Sequence, residues 1–350
     1  MTRGYGGPLR IVMVTPDWPD IEHPHIVPFL VQHVAFLRRL GVSVDVFHFK
    51  ARRSLLNYIS AWFRFKQYCK KGDYDVIHCQ FGQSGLVVFP TCRPVVVTYH
   101  GSDLHGIVDS SGAYTWSGKV LRLLSGFVAL CADETVIVSK HLQKYLPPGV
   151  RSHVAPLGVN LALFTPMERS FCRQKLELPQ KRILAMFSGR PNAPEKRRYL
   201  AQQAVDLLKD RCDIDLLYVE GKPHNSMPYY LNACNLLLLT SLHEGSPTIV
   251  KEALACNIPV VSAPVGDVPE RLQGLAGCVL FREDTPAAIA AAILKSLATA
   301  SFSGSRATTF QCAEPAATHS LLEVYSQACG YDVTARLGNT DVYDKPNEVV

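Results

Sequence analysis

No stretch of this 350-residue chain stays apolar for the roughly 18–20 residues that a membrane span requires. A secretory leader is not expected from the opening residues either. Met1 to Gly7 is polar and glycine-rich, and the apolar block Leu9–Thr15 is too short. Cysteine is present eleven times but never as Cys-x-x-Cys and never at zinc spacing. That excludes the usual metal and disulfide frameworks and suits reduced thiols in a cytoplasmic protein. No Gly-x-Gly-x-x-Gly follows an apolar run, which sets aside a dinucleotide dehydrogenase. Neither a nucleic-acid-binding motif nor a short internal repeat is present, so nucleic acid is not an expected partner.

What is there is a large apolar fraction, 47%, with only 19% charged residues. Such a composition supports a sizeable core, and the length suggests two domains. The net charge of +6 is unevenly held. Residues 1–160 carry 17 Lys and Arg against 10 Asp and Glu, residues 161–350 carry 19 against 20. An excess confined to the first half fits an anionic substrate or a membrane surface. Apolar strand candidates alternate with helical stretches, the pattern of an α/β protein with parallel sheets. In the first half they fall near Arg10–Thr15, Ser43–Phe47, Asp75–His78, Pro94–Tyr99, Glu134–Val138 and Ser152–Ala155. In the second half they fall near Arg182–Ser188, Asp215–Val219, Leu236–Thr240, Pro259–Ser262 and Cys278–Phe281. Pro156, Gly158 and Pro166 punctuate a linker. The expected division is residues 1–158, residues 159–312, a C-terminal helix over 313–332 with the option of crossing back to the first domain, and a tail over 333–350.

The most informative segment is His243-Glu-Gly-Ser-Pro-Thr-Ile-Val-Lys-Glu-Ala253. It follows an apolar strand and enters a helix. Ser246 then Pro247 is a helix-start signal, a hydroxyl cap followed by a residue whose missing N–H costs nothing there. Glu244 then sits on the loop at a strand's carboxyl end, where open α/β sheets bind ligands, and Glu252 on the helix. A carboxylate there can accept hydrogen bonds from two neighbouring hydroxyls, as a sugar or ribose presents them. His78, His100, Ser139-Lys140 and Gly189-Arg190 also follow or end strand candidates. Arg190 and Lys196, beside an expected helix start, form a candidate diphosphate site.

Together these residues resemble the family 4, or "group 1", retaining glycosyltransferases. The resemblance rests on Glu244-x7-Glu252 continuing to Pro259-Val-Val-Ser262, on Gly266-Asp-Val-Pro-Glu270, and on Val154-Ala-Pro-Leu-Gly-Val-Asn160 with Phe164-Thr-Pro166. His100-Gly-Ser-Asp103, Val138-Ser-Lys140 and Arg190-x5-Lys196 fit as well. It spans roughly Leu9 to Gln327. It implies a GT-B fold: two facing Rossmann-like doubly wound domains with an interdomain cleft, the first taking the acceptor and the second the nucleotide sugar. It further implies that Glu252 binds the ribose hydroxyls, that Glu244 contacts the transferred sugar and that Arg190 and Lys196 hold the diphosphate. His100 faces the sugar from the first domain, and Gly245, Ser246, Pro247, Thr248 and Ile249 line the donor. The implied chemistry is transfer of a hexose from a nucleotide-diphosphate sugar, with retention, to a glycan or lipid-linked hydroxyl in polysaccharide or glycolipid biosynthesis. The departing phosphate itself takes the acceptor's proton, so no enzymic nucleophile is named.

The chain departs from the pattern after the first strand, where relatives carry a glycine-rich loop. Thr15 to Phe29 contains no glycine, so close backbone approach to phosphate is less expected there, and His25 or a backbone amide is the alternative contact. Asp73-Tyr-Asp75 and Asp213-Ile-Asp215 spell Asp-x-Asp but enter strands rather than leave them. They read as turn residues, and a metal-independent reaction is expected, with Arg190 and Lys196 supplying the charge. Ala51–Lys71 is aromatic, basic and free of acidic residues, a candidate peripheral contact with the inner membrane face. Two rival readings are a nucleotide-sugar 2-epimerase of the same fold and a non-catalytic carbohydrate-binding relative.

Overall fold

The computed structural model describes residues 7–50, 54–109, 111–189, 193–299 and 304–337. They fall into two compact units. Residues 7–107, 114–158 and 314–337 form the first, Val108–Ala113 and Val159–Ala313 the second.

The first unit is built on a six-stranded parallel sheet in the order β2-β1-β3-β4-β5-β6. Its strands are β1 Arg10–Thr15, β2 Ser43–His48, β3 Val76–Gln80, β4 Val95–Tyr99, β5 Glu134–Ile137 and β6 His153–Val154. Its helices are α1 Pro28–Arg39, α2 Leu55–Lys71, α3 Gly85–Val88, α4 Ser102–His105 and α5 Trp116–Cys131. β3 and β4 are buried along their whole length; β4 accordingly reads as a run of β-branched residues closed by Tyr99, whereas β3 also buries the polar His78 and Gln80. Two cores lie on opposite faces of the sheet. One gathers Ala61 and Phe65 of α2, Val87 and Val88 of α3 and Val128 of α5. The other joins Leu30, Val34 and Leu37 of α1 to Leu321, Leu322 and Tyr325 of the C-terminal helix. α1 starts on Pro28 and ends with Arg38 and Arg39, a residue order that suits both the missing N–H and the helix dipole.

The second unit holds a five-stranded parallel sheet in the order β11-β10-β9-β7-β8. The strands are β7 Ile183–Ser188, β8 Ile214–Val219, β9 Leu236–Leu239, β10 Val260–Ser262 and β11 Val279–Leu280. The helices are α6 Arg169–Lys175, α7 Arg198–Asp206, α8 Met227–Ala233, α9 Thr248–Ala255, α10 Val268–Leu272, α11 Pro286–Leu297 and α12 Ser305–Thr308. The last helix, α13 Glu314–Cys329, packs in the first unit. A Cβ at Gly158 would lie 2.6 Å from Glu314 Cα, so only glycine lets the start of α13 come this close.

In both sheets the chain winds outward from the first strand in two directions. β1 lies between β2 and β3, and β7 lies between β8 and β9. A crevice opens at the carboxyl ends of such a strand pair, because the two connections leave on opposite sides. All eleven strand candidates are strands, each within a few residues of its expected bounds. One placement changes. β3 runs on to Gln80, so His78 does not end its strand. It is buried mid-strand, Nδ1 2.7 Å from the Tyr325 hydroxyl and Nε2 2.8 Å from Thr98 Oγ1.

Candidate functional site

In the second unit the loops after β7 and β9 meet at the switch point. Lys196 closes a short 3-10 turn, Pro194–Lys196, and α7 begins at Arg198. The Lys196 ammonium lies 2.5 Å from Glu244 Oε1, with both side chains mostly buried. The backbone between them is stitched. Thr240 Oγ1 donates to the carbonyl of Lys196 at 2.8 Å, and the Leu242 N–H donates to that of Glu195 at 2.7 Å. Arg197, in the left-handed region at φ 53°, sends its guanidinium to the carbonyl of Thr240 and to Asp284. Arg198 lies over the Tyr218 ring at 3.9 Å. So the three consecutive cations separate: Lys196 faces Glu244, Arg197 ties two loops, and Arg198 covers an aromatic face. Arg190, the other half of the expected diphosphate pair, lies outside the described residues.

The segment Glu244–Glu252 is held from beneath. α9 begins at Thr248 with Pro247, not Ser246, at the cap position. Ser246 therefore does not cap the helix. Its hydroxyl donates to Asp267 Oδ2 at 2.8 Å and accepts from Lys251 Nζ at 3.2 Å. Asp267 pairs in turn with Arg271 at 2.5 Å. Lys251 is fully buried, and burial pushes its ammonium down to about 8, with the nearby Arg271 acting in the same sense. Gly266, at φ +56°, packs against the loop itself. A Cβ there would lie 2.3 Å from the carbonyl oxygen of Gly245. Pro247, Thr248 and Ile249 open α9, and the first-turn N–H groups of Thr248 and Ile249 lack acceptors within the helix by its geometry. Glu252, one turn further, is buried and accepts from His224 Nε2 at 2.8 Å. His224 was not among the sequence candidates. It follows β8 and packs its ring 5.2 Å from Phe164.

The first unit has its own cluster at strand ends. The His100 ring packs against Phe81, which follows β3, at 4.5 Å, and against Phe29 of α1 at 5.4 Å. Its Nε2 is 2.7 Å from Gln80 Oε1. The turn His100–Asp103 is organised by Asp103, whose buried carboxylate accepts the N–H groups of Gly82 at 3.0 Å, Gly101 at 2.9 Å and His100 at 3.2 Å. Burial raises this carboxyl to about 6, against the pull of those same N–H groups. The glycine-free loop after β1 ends on Val27 at φ 41°, a turn that glycine usually supplies. His25 on that loop is exposed. Ser139 is buried, and Lys140 begins a 3-10 turn. The two Asp-x-Asp pairs sit at strand entrances. Asp213 and Asp215 both bond Arg182, and Asp75 bonds Arg336 at 3.0 Å.

Two family models match in succession: "Glycosyltransferase Family 4" over residues 9–163 and "Glycosyl transferases group 1" over residues 186–299. The chain belongs to the family 4, group 1 glycosyltransferases. Among curated proteins it is 30% identical over 246 residues to the putative teichuronic acid biosynthesis glycosyltransferase TuaC of Bacillus subtilis. That stretch covers 63% of this chain and 61% of the relative, so the match spans about three fifths of the relative's length. Among solved structures, the sucrose-phosphate synthase of Thermosynechococcus elongatus superposes with a TM-score of 0.73 at 17% identity, over 91% of this chain and 98% of that one. Anabaena HepE, in complex with UDP and glucose, gives 0.66 at 17% identity, over 91% and 99%. These structures share the fold, so this family member has the two Rossmann-like sheets of GT-B. Among the described residues, no helix is long and apolar enough to cross a membrane, and no group of three or more His, Cys, Asp or Glu could hold a metal ion.

Proposed function

We propose that this chain is a retaining glycosyltransferase that moves a hexose from a nucleotide-diphosphate sugar to a hydroxyl of a glycan or lipid-linked acceptor. The observation that carries the reading is the Lys196–Glu244 pair at the β7/β9 switch point, one helix turn region away from Glu252. In the free chain the ammonium and the carboxylate neutralise one another. A sugar diphosphate offers each a replacement: phosphate oxygens for Lys196, sugar hydroxyls for Glu244. Glu252, oriented by His224, takes the ribose hydroxyls, and Gly245 to Ile249 present backbone to the donor. Arg190 is assigned with Lys196 to the diphosphate, and His100 to the transferred sugar.

The barrier to transfer is departure of the nucleotide diphosphate from an oxocarbenium-like sugar. A fixed cation lowers it by meeting the charge that develops on the leaving oxygens, and it needs no reorganisation to do so. The acceptor's proton goes to the departing phosphate on the same face, which gives retention without an enzymic nucleophile. Lys196 and Arg190 supply the charge without a divalent ion. We place the reaction in the cytoplasm, with peripheral membrane contact through Ala51–Lys71, of which residues 51–53 lie outside the described residues.

The test is a panel of nucleoside diphosphates and their sugars read by thermal stabilisation, followed by donor consumption with and without an acceptor. A bound ligand at a hundred times its Kd stabilises by about 2.7 kcal/mol. At least one nucleotide should raise the melting temperature, and donor turnover should require a hydroxyl acceptor, with the new linkage retaining the donor's anomeric configuration. Conversion of a nucleotide sugar with no acceptor present would point to the epimerase instead.

A further inference from the structure

The helix α5 is built inside out. Gly118, Ser125, Val128 and Ala129 face the protein, and a Cβ on Gly118 would lie 2.3 Å from the Ile107 nitrogen. The large apolar residues face away. Trp116, Val120, Leu123, Phe127 and Leu130 are all exposed, Trp116 and Leu123 by 79% and 74%. Their 4-3-4-3 spacing sets them in one stripe. Helix α2 repeats the theme with Leu55, Leu56, Ile59 and Phe63 exposed. Both helices lie on the same face of the first unit's sheet, sharing one core with α3 between them. Trp62 Nε1 of α2 donates to the carbonyl of Phe89 at 2.8 Å, and Lys66 Nζ to that of Val88 at 2.7 Å. Gly85 of α3 meets Val128 of α5 so closely that a Cβ would lie 2.3 Å from Cγ1. Nine large apolar side chains, five on α5 and four on α2, are thus exposed on this layer, and clustered exposed apolar residues of this kind mark an interaction surface.

Charge decides what covers it. Neither α2 nor α5 contains a single Asp or Glu, while Arg64, Lys70 and Lys71 of α2 and Lys119 and Arg122 of α5 are exposed. The stripe's spacing would also suit a helix of a second copy, but that arrangement sets cations against cations with no carboxylate between them. We propose that the α2–α3–α5 layer is a docking face for an anionic lipid bilayer, with the α5 stripe entering the acyl region and the cations of both helices meeting headgroup phosphates. The proposal rests on the membrane contact assigned above to α2 and adds a second helix that carries the larger apolar stripe.

Flotation of the full chain with phosphatidylcholine vesicles and with equimolar phosphatidylcholine–phosphatidylglycerol vesicles tests it. The chain should float with the anionic vesicles alone. Leu123→Asp with Phe127→Asp should cut the bound fraction at least about tenfold, as should Leu55→Asp with Phe63→Asp. Trp116 fluorescence should shift to the blue on anionic vesicles, and the mild variant Trp116→Phe should abolish that shift. Nucleoside-diphosphate stabilisation should be unchanged in every variant, so loss of vesicle binding is read apart from loss of the donor site. If the α5 variant floats like the parent and the Trp116 emission stays put, the α5 face is overturned and the α2 contact survives alone. A chain that ignores anionic vesicles overturns both. A lipid-free dimer that Leu123→Asp with Phe127→Asp dissociates assigns the face to a second copy.

Discussion

Gly266 gives the sharpest test of how the donor loop is held. Its φ of +56° is left-handed, and a Cβ there would stand 2.3 Å from the carbonyl oxygen of Gly245, 3.0 Å from that residue's carbonyl carbon and 3.1 Å from the carbonyl oxygen of Glu244. Gly274 in the same unit has φ +76° but nothing within 4 Å of its Cβ position. Alanine at either position meets the left-handed backbone cost, about 1 kcal/mol at the low end. Only Gly266→Ala adds the collision. Ordinary contact begins at 3.4 Å, so the Gly245 carbonyl must retreat by about an ångström, and overpacking of this kind costs about 1–3 kcal/mol more. Gly266→Ala is therefore expected to lose about 3 kcal/mol and Gly274→Ala about 1 kcal/mol, read by urea denaturation of the second unit's transition.

The retreating carbonyl belongs to the loop that carries Glu244. An ångström of misplacement at a reacting centre costs about a hundredfold in rate. Gly266→Ala should therefore lose transfer by about that factor in the fraction that remains folded, while Gly274→Ala keeps it. Equal stability losses in the two variants would show that the close approach bears no load. Parental turnover by folded Gly266→Ala would show that the loop does not position the donor.

Three further outcomes follow from the same geometry. Lys196→Ala should lower the transfer rate about 10²–10³-fold, since one charge-stabilising group is removed, and should also lower the melting temperature, because Glu244 is left mostly buried without its partner; near-parental turnover of the folded variant counts against the assignment of Lys196 to the diphosphate. Glu252→Ala should weaken nucleotide-sugar binding about a hundredfold and His224→Ala about tenfold by calorimetry, because the first removes a charged acceptor and the second only its orienting partner; a larger loss in His224→Ala would reverse those roles. Lys251→Met should stabilise the chain at pH 7. The folded-state ammonium sits at about 8, below its ordinary 10.5, so the folded chain binds the proton more weakly than the unfolded one. The cost of the buried charge is then full below pH 8 and falls away between pH 8 and 10.5, and the gap in melting temperature should close over that window. A gap that is constant from pH 7 to 10 refutes it.

The strands were legible because both sheets are parallel and largely buried, so most strands are dominated by apolar residues, as in Val95–Tyr99 and Leu236–Leu239. The strand–loop–helix course of the Glu244–Glu252 segment was legible because its parts are local: strand, loop, Pro247, helix. What the sequence hid depends on distance along the chain. Ser246 has the form of a helix cap, yet Asp267, 21 residues on, takes its hydroxyl and leaves Pro247 at the cap position. His224 meets Glu252 from a different loop, 28 residues away, with nothing in its neighbourhood to mark it. Lys196, Arg197 and Arg198 look alike in sequence, and only the fold gives them three tasks. The α5 stripe has the period of a core helix, and periodicity alone does not tell which side of a helix meets the protein.

The two ends of the second sheet use charge in opposite ways, and the contrast bears on function. At the amino ends of β7 and β8, Arg182 pairs with Asp213 and Asp215, and all three are substantially exposed. Such pairs contribute little to stability, about 0–1 kcal/mol, and lose little if broken. At the carboxyl ends, Lys196–Glu244 and His224–Glu252 are mostly buried, and Lys251 beneath them is wholly so. Withdrawing charge from water costs several kcal/mol per ion before pairing, and well-packed apolar residues of like volume would often serve stability as well or better. A sheet selected for stability alone has no reason to concentrate that cost at one end. Its concentration at the switch point supports the proposal that this site exchanges its internal partners for those of a charged, hydroxyl-rich ligand. If so, replacing Lys196 and Glu244 together by Met and Leu should raise the melting temperature while abolishing nucleotide-sugar binding. A double variant that is both less stable and still competent to bind would show that the pair belongs to the architecture.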